Sequence, residues 1–199
     1  MSPNKEPAII LASSSPRRKK LLQQYGLSFK VDPSSINEDI ADHNTGPKIA
    51  EKLAVMKAED VATRYQEALI IAADTIVVYR HKILGKPGDL EAAKRMLADL
   101  RGREHEVYTG IALLRKKAGE NNKLISKLDG TKVKMRNFSN EELRGYLASR
   151  EPLGKAGAYA IQGLGSLLVK SISGSYFTVM GLPVHLLPEL LGEFSISIL

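Results

Sequence analysis

Apolar positions along the chain follow two different periods. Ala8 to Leu11 and Leu69 to Tyr79 are near-continuous apolar runs, the latter rich in β-branched residues, the pattern of strands buried on both faces. Thr131, Val133 and Met135 alternate with Lys132, Lys134 and Arg136, which predicts a half-exposed strand. Residues 105 to 114 read as another strand, with Gly119 to Asn122 as the hairpin loop between the two, and Phe29 to Val31 as a short one. Leu90, Ala93, Met96, Leu97 and Leu100 recur at helical spacing, predicting a helix over 89–100. Further helices are predicted from Pro16 to Gln24, stopping near Gly26, and from Pro47 to about Tyr65. Ser139 and Glu142 form a capping box that opens a helix through Leu147. The tail from Pro183 reads as helical, with Pro188 bending or breaking it. Strands joined sometimes by helices and sometimes by hairpins predict an α/β fold on a mixed sheet.

Composition narrows the function classes. A chain of 199 residues can bury one substantial core, and no linker or repeat divides it, so one domain over residues 1–199 is expected. With no cysteine there is neither a disulfide framework nor a thiolate site. The first seven residues are polar, and no apolar run reaches the roughly 20 residues of a membrane span. A cytoplasmic protein is the expectation. A net charge of +7 permits nucleic-acid binding. The absence of tryptophan and an aromatic content of only 6% deprive a single-strand binder of stacking platforms. A highly anionic small molecule is the better partner for this charge.

The candidate chemistry starts at Leu11-Ala12-Ser13-Ser14-Ser15-Pro16-Arg17-Arg18. A strand, a hydroxyl-rich turn and a helix start with two guanidinium forks suit a polyphosphate. No Gly-Lys-Ser/Thr is present, so this is not a Walker loop. Asp74 stands inside an apolar strand, where a carboxylate needs a partner, a metal or a mouth to solvent. Lys57 shares a helix face with Ala50, Leu53, Ala54 and Val61, so its ammonium either snorkels or meets an anion. Glu38, in the polar loop before that helix, and Asp74 could together hold Mg²⁺ through oxygen ligands. Lys86, after the turn Leu84-Gly85, adds a further phosphate contact. Gln162, within a glycine-dense run, has a donor and an acceptor with which to read a base edge. The four histidines show no metal-ligand spacing.

In order along the chain, Ala12-Ser13-Ser14-Ser15-Pro16-Arg17-Arg18, Lys57-Ala58, Ala73-Asp74-Thr75, Lys86-Pro87, Ala156 to Gly163, Gly174-Ser175-Tyr176 and Val179 to Pro183 resemble the motif series of Maf proteins. The resemblance implies a nucleoside triphosphate pyrophosphatase that splits the α–β anhydride with a divalent cation, Mg²⁺ or Mn²⁺. It implies an inosine triphosphatase-like fold, a long mixed sheet in two lobes with flanking helices and a central cleft. By the same resemblance Asp74 corresponds to the general base, in contact with the metal. Arg17, Thr75 and Gln162 correspond to substrate-discriminating positions. Ser13, Arg18, Glu38, Lys57 and Lys86 correspond to other polar positions of the cleft, and Ser15, the N-cap of the serine turn, is a further substrate-binding candidate. The Asp-Thr pair and the late Gln are similar to the branch acting on dTTP and UTP rather than 7-methyl-GTP. The family is linked to arrest of cell division and suggests a homodimer. The resemblance departs at Asn37-Glu38, where the family carries an acidic pair, leaving Glu38 as the one match there. Two rivals stand beside this reading: a related enzyme of other nucleotide preference, and a nucleic-acid-binding regulator of division without turnover.

Overall fold

The computed structural model describes residues 7–37 and 46–198. β1 (Ile9–Leu11) leads into α1 (Pro16–Gln24) and β2 (Phe29–Val31). Pro16 sits in the first turn of α1, and Ser15 Oγ accepts from Arg18 N at 3.5 Å. α2 (Lys48–Ala62) precedes the long strand β3 (Ala68–Tyr79), which hairpins into β4 (Lys82–Leu84). α3 (Leu90–Leu100) is capped by Asp89, whose Oδ1 accepts from Ala92 N at 2.7 Å. β5 (Glu104–Lys116) and β6 (Lys123–Met135) are 13 residues each. α4 (Asn140–Ala148) carries the expected capping box between Ser139 and Glu142. After two 3₁₀ turns come β7 (Val169–Ser173), α5 (Tyr176–Met180) and α6 (Leu187–Gly192). The tail is helical, a 3₁₀ turn (Val184–Leu186) followed directly by α6, with Pro188 in the first turn of α6 where the helix type changes. No helix among the described residues is long and apolar enough to cross a membrane.

The seven strands form one mixed sheet in the order β2-β1-β3-β5-β6-β7, with β4 also on β3. β2, β1 and β3 run parallel; β5, β6 and β7 continue antiparallel. The mixed sheet with flanking helices is the architecture expected from the sequence. β5 accompanies β3 from Ala68 to Val78 along one edge. Along the other edge β1 pairs with Leu69 to Ile71, and β4 with Val77 to Tyr79. Residues 72–76 between them face neither strand, and the sheet opens there into two lobes.

Alternation along β3 sorts its side chains between the faces. Ile70 and Ala72 pack with Ala54, Ala58 and Val61 of α2. Leu69, Ile71 and Ala73 pack with Leu21 and Leu22 of α1 and with Leu187 and Leu190 of the tail. Further along, Val77 joins a third cluster with Leu97, Phe138 and Tyr159. Each fully buried Leu or Ile contributes roughly 1.5–3 kcal/mol, so these faces fix the register of β3 firmly.

Candidate active site

Where β3 loses its neighbours, a cleft of about 1010 Å³ opens. By alternation Asp74 points to the α2 face and Thr75 to the α1 face, yet both line this cleft. Asp74 is 8% exposed, and its Oδ1 accepts from Lys57 Nζ at 2.5 Å; Lys57 is equally buried. The lysine on the apolar stripe of α2 therefore meets an anion and does not snorkel. Asp74 Oδ2 has no hydrogen-bond partner among the described residues. The ion pair depends on how closely α2 crosses the sheet. Gly110, opposite Asp74 on β5, leaves no room for a Cβ, which would lie 2.4 Å from the Ala50 carbonyl and from Glu51.

On the other face Arg18 is held by three protein acceptors. Its Nε donates to the Gly181 carbonyl at 2.7 Å, one terminal nitrogen to Ser13 Oγ at 3.1 Å and the other to Thr75 Oγ1 at 3.1 Å. Thr75 Oγ1 lies 2.9 Å from Thr109 Oγ1, which donates to the Thr178 carbonyl at 2.7 Å. Thr109 and Thr178 are fully buried. Arg18 and Thr75 thus lock the serine turn to α5 and the sheet. Ser13 Oγ also accepts from Ser15 N at 3.2 Å, so the turn is internally organised.

Arg17, by contrast, has no hydrogen-bond or ion-pair partner among the described residues. It stands on a rim shared with a second cavity of about 350 Å³, lined by Lys20, Gln24, Gln162, Tyr176, Phe177 and Met180 among others. Gln162 is exposed there and is not part of the larger cleft, while Lys86 is exposed and lines the larger cleft. The structure therefore brings Ser13, Ser15, Arg17, Arg18, Lys57, Asp74, Thr75 and Lys86 together, with Gln162 around the corner of α1. Glu38 lies outside the described residues. Among the described residues no three His, Cys, Asp or Glu side chains converge as a metal cage.

Two features went unread in the sequence. Lys155, at the head of the glycine-dense run, also lines the cleft. Its position just before Ala156-Gly157-Ala158 was the available signal. Tyr159 lines the cleft as well, with its hydroxyl 2.8 Å from Nε2 of the buried His105. Burial lowers the His105 pKa to about 4 and pushes the Tyr159 hydroxyl upward. The described lining holds Arg17, Arg18, Lys57, Lys86 and Lys155 against Asp74 alone, five cationic side chains to one carboxylate. The basic strand β6 is a different case. Lys123 pairs with Glu193 at 3.0 Å, Lys127 pairs with Glu189, and Lys132 pairs with Glu104 at 3.9 Å. Its charge is largely met by the protein's own carboxylates.

Comparison with known proteins bears on this arrangement. A protein described as dTTP/UTP pyrophosphatase from Bacillus anthracis is 43% identical over 190 residues, covering 96% of this chain and 97% of that protein. One of the same description from Moorella thermoacetica is 44% identical over 190 residues, covering 96% of each. Among solved structures, a HAM1 protein from Coxiella burnetii aligns with 66% of this chain and 74% of its own, at 16% identity and a TM-score of 0.44. The family model for Maf-like proteins matches residues 8–194. With that span, and with relatives of this similarity over nearly the whole length, the chain belongs to the Maf-like protein family.

Proposed function

We propose that the chain is a nucleoside triphosphate pyrophosphatase acting on dTTP and UTP, releasing the monophosphate and pyrophosphate. The observation that carries this reading is the Asp74–Lys57 pair at the floor of a cleft whose remaining charged wall is cationic. The names of the related proteins support the substrate class.

The triphosphate lies across the serine turn, with Arg17 and Lys86 as its first cations. Arg18 holds the turn in shape through its bonds to Ser13, Thr75 and the Gly181 carbonyl. Lys57 fixes Oδ1 of Asp74, leaving Oδ2 to meet a water. Asp74 orients that water and accepts its proton as the oxygen attacks phosphorus in line. The new P–O bond forms as the α–β anhydride breaks and pyrophosphate leaves. The described lining, one carboxylate among cations, suits a hard cation that would be held in part by phosphate oxygens, as Mg²⁺ prefers. Asp74 would be its protein ligand, with Glu38 as the second by the sequence. When bound, such a cation neutralises charge developing on the phosphates. Gln162 reads the base at the smaller cavity, next to Arg17. Thr75 then acts on selectivity through Arg18 and not by touching the base.

Pyrophosphate release in the presence of Mg²⁺ or Mn²⁺, over a panel of dTTP, UTP, CTP, dATP, GTP and 7-methyl-GTP, tests the reading. dTTP and UTP should lead the panel. Gln162→Ala should narrow their advantage while leaving turnover of the best substrate within about tenfold. A wild-type protein that releases no pyrophosphate from any of them refutes the proposal.

A further inference from the structure

We propose that Lys155 is a substrate-contacting residue, which grips the same part of the phosphate chain as Arg17, with which it shares the cleft. The inference rests on the pyrophosphatase reading and adds a cation to it. Lys155 sits on a rigid, built turn. Ala158 N donates to the Lys155 carbonyl at 3.0 Å, and Gly157 N donates to the Gly85 carbonyl at 3.1 Å. The second bond ties the turn bearing Lys155 to the one bearing Lys86. Gly157 (φ 67°) and Ala158 (φ 61°) are both left-handed, and Ala158 is fully buried. A left-handed alanine is a strained residue, and such strain is retained where the surrounding structure has a use for it.

The ammonium has no carboxylate within ion-pair distance among the described residues. Its hydrogen bond goes to a neutral acceptor, the Glu151 backbone carbonyl. The Glu151 carboxylate is engaged elsewhere, accepting from Leu164 N at 3.0 Å, Gly165 N at 2.9 Å and the Tyr146 hydroxyl at 3.2 Å. Burial and the nearby charge of Arg17 hold the Lys155 ammonium below the usual lysine range, with Glu151 opposing them. Two like charges facing one cavity, neither with a carboxylate in ion-pair contact among the described residues, are relieved by an anion lying between them. Lys57 differs, being already paired with Asp74.

Calorimetric binding of inorganic tripolyphosphate to the full chain tests this without requiring turnover. Lys155→Met and Lys155→Gln should each weaken binding by about 10- to 100-fold, the range for a charge-assisted hydrogen bond. Lys155→Gln retains an amide donor for the Glu151 carbonyl, so a merely structural role would spare it. Lys155→Arg should stay within about threefold of wild type, and the distant, exposed Lys170→Met should be unchanged. Neutral variants that fold as wild type and bind within about twofold of it overturn the assignment, as does a wild type that binds no tripolyphosphate. If wild type hydrolyses dTTP while the neutral variants bind normally, the assignment of Lys155 falls and the pyrophosphatase reading stands.

Discussion

Replacing Lys57 by methionine keeps the length of the side chain and removes its charge, leaving Asp74 without its partner. At 2.5 Å and an effective dielectric of 20, the pair attracts by about 7 kcal/mol. Desolvation of each ion offsets several kcal/mol of that. Deleting one member of a fully buried pair costs about 3–5 kcal/mol. Here each side chain is about a tenth exposed at a cleft, so water reaches the orphaned carboxylate and about 2–4 kcal/mol is expected. For a chain of this size that lowers the unfolding midpoint by about 4–16 °C. Asp74→Asn should cost less, about 1–2 kcal/mol, because the amide oxygen still accepts from Lys57 and the ammonium can turn towards the cleft. The same variant should lower kcat by about 10²- to 10⁴-fold, since the proton acceptor is gone. A double-mutant cycle by urea unfolding should return a coupling of at least about 1.5 kcal/mol. The reasoning is refuted if Lys57→Met costs under about 0.5 kcal/mol, or if Asp74→Asn turns over dTTP at near the wild-type rate.

The hydroxyl of Thr75 joins Arg18 to Thr109. Thr75→Val should cost about 1–3 kcal/mol by urea unfolding and Thr75→Ser should recover most of it, whereas an unaffected Thr75→Val would show the relay to be idle. Gly110→Ala places a methyl against the backbone of Ala50 and Glu51. It should cost about 3 kcal/mol or more and move Lys57 off Asp74, so full stability together with full activity would contradict the close crossing of α2. His105 has a pKa of about 4 when folded against an ordinary 6.5. The unfolded chain therefore binds the proton first, and stability falls as pH drops from about 6.5 towards 4, levelling off below. The loss is on the order of 3 kcal/mol. His105→Gln should remove that part of the slope in unfolding midpoints measured at pH 7 and pH 4.5, and an unchanged slope would place the titration elsewhere.

Much of this was legible in the sequence because single residues broke strong patterns. Asp74 in an apolar strand and Lys57 on an apolar helix face each announced a need for a partner. That they satisfy each other was not legible, since it depends on α2 crossing β5 at Gly110, 36 positions along the chain from Asp74. The limits of α1, β2 and α3 followed from caps and periodicity. β4 escaped because its turn, Arg80-His81, is left-handed at both residues (φ 49° and 63°) without the Asn or Gly that usually signals it. The five residues of α5 are too few for a helical period to emerge. Arg17 and Arg18 look equivalent as letters, yet one helical step of about 100° separates a guanidinium without a described partner from one held by three acceptors. That Gln162 lines the smaller cavity beside Arg17 and not the larger cleft depends on the fold and could not be read from its place in the chain.

The position of the site follows from a single interruption in strand pairing. Asp74 and Thr75 are adjacent and must point to opposite faces of β3. In a continuously paired sheet they could not serve one ligand, because the neighbouring strand would lie between them. β1 ends at Leu11, its last link to β3 being the bond from Ala12 N to the Ile71 carbonyl at 2.8 Å. β4 does not begin to pair until Val77. The five residues between are open along one edge, and the chain leaving β1 turns there as Ser13-Ser14-Ser15. One break therefore brings the carboxylate from one face, the threonine-braced arginine from the other, and the serine turn from the end of β1 into a common space. β5 stays paired with β3 across the whole interval and supplies the rigidity that the open edge lacks. An activity that needs an acid, a row of cations and an extended phosphate chain in register is best placed at such a gap, where backbone and both sheet faces are reachable at once.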